Sequence, residues 1–303
     1  MSTAHWLALS TLPGIGGATA RKLLERFGDI QSVFSASAEE LATIPRVTPA
    51  LAAQLLAAPV SELEAEVLSL NDEGIDVLTW DDDRFPEMLR PLADVPLVLF
   101  VCGSIGPEDA RAVAIVGSRQ PGAQSQALAR KLGYELAIRG LTVVSGLALG
   151  VDAAAHWGAV ESDGGRTLAV LGSGIRVIHP RENAELAERI VSCGALLSEL
   201  HPNTPPRGPQ LMARDRIVSG LSRALIVVEA GEKSGSLDTA ARARKQGRAV
   251  YAVPGSAGTD GLLQDGARRL DPETIDYDTL AGAIAGEIEL GENSSEPRQV
   301  QLW

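Results

Sequence analysis

The sequence predicts a doubly wound parallel sheet, an extended Rossmann-like α/β fold, preceded by a small helical module. Three observations predict it. Short, uninterrupted apolar runs recur through residues 112–272, helical patterns lie between them, and most of the runs end in glycine and serine. Runs without polar alternation suit parallel strands covered on both faces. Strand alternating with helix is the pattern of an α/β layer fold.

Residues 1–58 read as helices around the hairpin PGIGG (13–17), inside the stretch LSTLPGIGGATARKLLERFG. This is the shape of a helix-hairpin-helix motif, in which glycines let backbone amides approach a phosphate at the start of the second helix. A purely structural turn is the competing reading. A second copy, ELATIPRVTPALAAQLL (40–56), has no hairpin glycines and is expected only to pack. Residues 59–111 read as an acidic connecting segment. It holds an amphipathic helix stopped by Gly74, a strand at 75–80, a turn-rich crossing, and a second strand at 97–103.

Within the 112–272 core the predicted strands are AVAIVG (112–117), LTVVSG (141–146), TLAVLG (167–172), ALLSEL (195–200), ALIVVEA (224–230) and AVYAVPG (249–255). Residues 273–303 read as one short helical segment followed by an acidic polar tail.

The formal net charge of −12 is unevenly spread. Residues 1–111 carry 7 basic and 17 acidic side chains, residues 112–272 carry 19 and 15, and residues 273–303 carry 1 and 7. Only the core has a field that attracts phosphate. No apolar run approaches the roughly 20 residues of a membrane span, and the N-terminus lacks a signal-peptide pattern. Cys102 and Cys193 lack CxxC or metal spacing and read as buried, reduced thiols, so a cytoplasmic protein without metal or cofactor is expected.

Ligands of open parallel sheets bind outside the carboxyl ends of the strands. Those ends carry Gly117-Ser118-Arg119, Ser145-Gly146, Gly172-Ser173-Gly174, Lys233-Ser234-Gly235-Ser236 and Pro254-Gly255-Ser256. Glycine admits close approach, serine adds a hydroxyl, and helix N-termini offer unpaired N–H groups, so this rim is an expected anion site. It is not an ordinary dinucleotide site. GxGxxG is missing after the first strand, no acidic residue ends the second, and no Walker pattern occurs.

The motifs AVAIVGSR (112–119), VVSGLALGVDAAAH (143–156), TLAVLGSG (167–174), HPRENAEL (179–186), RDRIVSGLS (214–222), VVEAGEKSGSLDTA (227–240) and AVYAVPGS (249–256) occur in the order seen in the DNA-processing protein A family (DprA, also called Smf), which the chain resembles over nearly all of residues 79–267. The resemblance implies a homodimer that binds and protects single-stranded DNA and helps load RecA in recombination or natural transformation, without catalysis. It also implies phosphate contacts from Arg119, Arg181, Arg214, Arg216 and the turn Lys233 to Ser236. Salt bridges are the competing reading for Arg119, within the rim, and for Arg214 and Arg216, with Asp215 or Glu199, and a solvated loop position is the competing reading for Lys233. Three positions depart from the family: Asp215 stands for the Asn of its R-N-R motif, Leu211 for an aromatic, and Asp260 for an Asn. The family's C-terminal winged-helix domain has no counterpart in residues 273–303.

A second functional class stays open, a nucleotide-binding sensor or nucleoside-phosphate hydrolase of the LOG-like superfamily. The motif PGGxGTxxE of those proteins is absent, and SGSLDTA (234–240) occupies its place. No nucleophile, base and orienting group line up in the sequence. His156 reads as a core or capping residue, and Asp152 and Glu229 read as buried hydrogen-bonding residues.

Overall fold

The computed structural model describes residues 2–286. Five helices open the chain: α1 (Ser2–Thr11), α2 (Gly17–Phe27), α3 (Ile30–Ser35), α4 (Ala38–Ala42) and α5 (Pro49–Leu56). Their starts are written locally. Asp29 accepts from the Ser32 N–H, Ser37 and Glu40 form a reciprocal capping box, and Thr48 caps α5 ahead of Pro49. Helix α6 (Val60–Asp72) follows and ends before Gly74, whose φ is +76°.

The segment read as a connector enters the sheet. Strands β1 (Ile75–Thr79) and β2 (Val98–Gly103) pair antiparallel, and β2 pairs antiparallel with β6 (Ala195–Ser198), setting Phe100 opposite Ser198. The remaining strands are β3 (Ala112–Val116), β4 (Thr142–Ser145), β5 (Thr167–Val170), β7 (Ala224–Val227), β8 (Ala249–Ala252) and β9 (Arg268–Arg269). The nine-stranded order is β1-β2-β6-β5-β4-β3-β7-β8-β9, parallel from β6 to β9.

The chain winds outward from β3 to β6 through α7 (Ala123–Ala137), α8 (Val151–Glu161) and α9 (Ala184–Cys193). It returns through α10 (Gly208–Gly220) to β7 beside β3, and continues through α11 (Gly235–Lys245) to β8. Helices α12 (Ala257–Gln264) and α13 (Tyr277–Ala285) complete the order. The direction of winding therefore reverses between β3 and β7, the topological switch point.

Both faces of the sheet are covered. Val113, Ile115, Val143 and Ile226 pack with α7, α8 and α13, while Ala114, Val144, Leu168 and Val227 pack with α10 and α11. A third apolar cluster joins the N-terminal helices to the sheet, running from Trp6 and Leu23 through Val77 and Phe100 to Ile190 and Leu196. Trp6 also donates its indole N–H to Asp81 Oδ2 at 2.7 Å. Helices α7 and α8 cross at two small residues. A Cβ on Gly133 would strike the Ala155 carbonyl, and one on Gly158 the Arg130 carbonyl.

Candidate phosphate-binding rim

The parallel register brings the loops after β3, β4, β5, β7 and β8 to one end of the sheet. At the switch point the first and fourth of these loops are tied together. The Ser118 N–H donates to the Glu229 carbonyl at 2.8 Å, and the Gly122 N–H donates to Glu229 Oε2 at 3.0 Å. Glu229 thus places a carboxylate at the N-terminus of α7, where the helix dipole favours an anion. The protein fills that slot itself. A cavity of about 240 Å³, lined by Glu229, Gly231, Gly255 and Ser256, lies beside it.

The expected site residues divide into two sets. The outward set is cationic. Arg119, Arg181 and Lys233 are exposed, and none of their side chains makes a hydrogen bond or ion pair among the described residues. Arg119 stands four residues before α7, Arg181 three before α9 and Lys233 two before α11, so each cation sits where a helix leaves the rim. Arg207, missed from the sequence, belongs with them. It is the exposed N-cap residue of α10, and its side chain is likewise without a partner among the described residues. Its signal was present in Arg-Gly-Pro, since proline at the first turn marks a helix start.

The inward set supports the rim from beneath and corrects several expectations. The Ser145 hydroxyl donates to the Ile115 carbonyl at 2.6 Å, and the Ser173 hydroxyl to the Val177 carbonyl at 2.6 Å. Both side chains are buried, so neither offers its hydroxyl to a ligand. The glycines serve close packing of the protein on itself. A Cβ on Gly117 would lie 2.8 Å from the Val151 side chain and 2.9 Å from the Glu229 carbonyl, and one on Gly172 would lie 2.7 Å from Leu211 Cα. One on Gly146 would meet the Arg214 guanidinium, and one on Gly174 the carbonyls of His201 and Pro202. Leu211, at the position of the family's aromatic, is thus packed on Gly172.

Ser234 caps α11 and shares a 2.7 Å hydroxyl contact with Ser236, which is buried; Gly235 is exposed between them. Asp260 accepts from the Gly255 N–H at 3.0 Å, bracing the loop after β8.

The two arginines of the R-D-R stretch face the protein. Arg214 is 6 % exposed, donates to the Val170 carbonyl, and lies 3.1 Å from Asp215 Oδ1. Arg216 holds Glu199 through two bonds of 2.6 Å each and donates to the Asp94 carbonyl at 2.9 Å. A guanidinium spent on a bidentate carboxylate is not available to a phosphate without first breaking that pair. The salt-bridge reading therefore describes both arginines.

Arg214 anchors a buried cluster. Asp152 accepts from the Gly146 N–H at 3.1 Å, and its carboxyl is raised by burial against the opposing pull of Arg214. Asp215 is raised to about 6 by burial, with Arg214 lowering and Asp152 raising it. His156 bonds the Thr167 hydroxyl through Nδ1 at 2.6 Å, and burial, then the Arg214 cation, lower its pKa to about 3. Neutral at ordinary pH and enclosed, His156 has a core role. Among the described residues no group of His, Cys, Asp and Glu could hold a metal ion, and no helix is long and apolar enough to cross a membrane.

In the N-terminal module, Gly14 and Gly16 are exposed at the hairpin, while Gly17 packs on Val95. Arg21 donates to the carbonyls of Arg90 and Leu92, fixing α2 to the 81–96 crossing.

Residues 76–277 match the family described as DNA recombination-mediator protein A. The chain belongs to that family. Residues 7–58 match a SAM-like helix-hairpin-helix tandem. DNA processing protein DprA of Bacillus subtilis is 38 % identical over 216 residues, covering 69 % of this chain and 72 % of that protein. Protein Smf of Escherichia coli is 38 % identical over 232 residues, covering 74 % of this chain and 62 % of its relative. The match thus spans roughly two thirds of the length of these relatives.

Among solved DprA structures, that from Streptococcus pneumoniae superposes with a TM-score of 0.75 at 30 % identity, over 92 % of this chain and 97 % of that one. DprA from Helicobacter pylori, described with its mode of binding single-stranded DNA, superposes with a TM-score of 0.62 at 27 % identity, over 71 % of this chain and 97 % of that one.

Proposed function

We propose that this chain binds the backbone of single-stranded DNA along the carboxyl-end rim and acts as a non-catalytic recombination mediator. The carrying observation is the set of four exposed cations, Arg119, Arg181, Arg207 and Lys233, whose side chains have no partner among the described residues, on the loops after β3, β5, β6 and β7 at the carboxyl ends of the parallel strands. Several exposed cations without acidic partners suit a repeating anion and give little base selectivity, because phosphate contacts position without reading sequence. Beneath the rim Ser145, Ser173, Asp152 and Arg216 are engaged in internal bonds, while His156 Nε2 and Arg214 Nε are buried without a hydrogen-bond partner among the described residues. The engaged groups support a binding role over a chemical one. Single-stranded DNA binding by the Helicobacter pylori relative supports the same reading. Assistance to RecA and assembly as a homodimer belong to this proposal.

Fluorescence anisotropy with labelled oligo-dT tests it. Affinity is expected to fall as salt rises, and Arg119→Ala or Lys233→Ala each to reduce the log–log salt slope by about 0.7, the contribution of one phosphate contact on a single strand. Salt-insensitive binding, or wild-type affinity in the double variant, would overturn the reading. A free nucleotide is the second reading, favoured by the cavity beside Glu229. There an adenine or guanine nucleotide would bind in preference to oligo-dT and compete with it. RecA filament assembly on oligo-dT, and light scattering of the purified chain, test the two partner calls.

A further inference from the structure

At the opposite end of the parallel strands lies a cavity of about 700 Å³, within the size range of small-molecule sites. Its walls come from the 83–91 crossing, the 105–110 turn, Leu168 of β5, Leu221 and Arg223 before β7, and Arg248 before β8. Most of the lining is apolar, with Phe85, Met88, Ile105 and Leu221 as its larger side chains.

Two arginines stand in this wall without an acid. Arg248 donates through Nη2 to the carbonyls of Met88 (3.2 Å) and Gly220 (3.0 Å), and its Nε is buried without a partner. Arg223 donates to the carbonyls of Ala110 (2.8 Å) and Ala285 (2.5 Å). Neither guanidinium forms an ion pair among the described residues. Burial, then the neighbouring Arg223 cation, lower the pKa of Arg248, so the fold works against a charge it does not neutralise.

The carboxylates nearby are otherwise engaged or outlying. Asp109 accepts from Arg166, Thr142 and the Gly106 N–H. Asp83 and Glu87 are exposed. These last two would repel a polyanion such as a nucleic acid more than a ligand with a single charge, while Arg248 is half-buried.

We propose that this cavity binds a small organic monoanion, a carboxylate, sulfonate or phosphate monoester on an aromatic or branched apolar body. Its charge would rest on Arg223 and Arg248, and its body against Phe85, Met88, Ile105 and Leu221. Charge-assisted bonds to a partly buried guanidinium, together with removal of apolar surface from water, supply the affinity. The proposal does not depend on DNA binding at the other rim.

The probe is 8-anilinonaphthalene-1-sulfonate, which joins apolar rings to one sulfonate, titrated into the full chain by fluorescence. Saturable one-site binding is expected. Arg248→Met should weaken it at least tenfold, and N-phenyl-1-naphthylamine, which lacks the sulfonate, should bind wild type at least tenfold more weakly. Met88→Trp, which fills the cavity and leaves both arginines in place, should abolish the signal; it carries the test if Arg248→Met does not fold. Arg119→Ala should bind as wild type does. Non-saturable binding, equal affinity for the uncharged probe, or unchanged binding in Met88→Trp would each overturn the proposal. So would loss of binding in Arg119→Ala, which would place the dye at the DNA rim instead.

Discussion

Asp215→Asn isolates the electrostatic cost of the cluster beneath the rim. In the folded protein the Asp215 carboxyl is held at about 6 against an ordinary 3.8, chiefly by burial. Folded protein therefore keeps a proton there that unfolded chain has already released. The contribution of this group to stability thus falls as pH rises from about 4 to about 6, and its full cost stands above that. A displacement of this size corresponds to roughly 3 kcal/mol. Asparagine removes the cost but also removes the 3.1 Å ion pair with Arg214, leaving that cation to Asp152. The net gain expected at pH 7.5 is roughly 1–3 kcal/mol, a few degrees in melting temperature. Urea denaturation of both proteins at pH 4.5, 6 and 7.5 measures it. The two curves should converge at the acid end and separate as pH rises. A variant less stable than wild type at pH 7.5, or a difference independent of pH, would refute the reasoning.

Three further outcomes follow from the same geometry. Arg216→Ala strands a half-buried Glu199 and should lose about 2 kcal/mol or more in denaturant titrations, yet weaken oligo-dT binding less than Arg119→Ala does. Gly133→Ala forces a methyl into the Ala155 carbonyl at the α7–α8 crossing and should cost about 3 kcal/mol, read by the same titration. Asp276→Ala removes the acceptor for the Asp278 and Thr279 N–H groups at the start of α13. It should cost about 1 kcal/mol, with earlier hydrogen exchange in that helix as the local readout.

The core strands were legible because both faces are covered, which leaves apolar runs that no helix period explains. Partners of β1 and β2 were not legible. Their strand character is local, but pairing of Phe100 with Ser198 is set by the whole sheet, so a segment read as a connector became its edge. Strand β9 has two residues, and α12 contains Gly258 and Gly261, too little pattern for either to be read.

At the rim, charge was legible and direction was not. Arg119, Arg181 and Lys233 point outward, as expected of loop residues. Arg214 and Arg216 lie two apart on α10, so they leave it on different faces. Both nevertheless find acceptors inside the protein, because β5 covers one side and Asp94 with Glu199 the other. The serines and glycines were read as ligand groups because their chemistry suits a ligand. That chemistry also suits close packing of strand ends on helix starts, and here most of it is used that way.

The apolar cluster that joins the N-terminal helices to α9 and β6 has a consequence for how the chain comes off the ribosome. Trp6, Leu23 and Leu55 are made first, yet part of the surface that buries them includes Ile190 and Leu196. At ordinary rates of synthesis the interval is on the order of ten seconds. Through that time the nascent module carries an incompletely covered face, which defines a window for chaperone contact and makes slow translation after residue 58 a hazard to yield rather than to the finished fold.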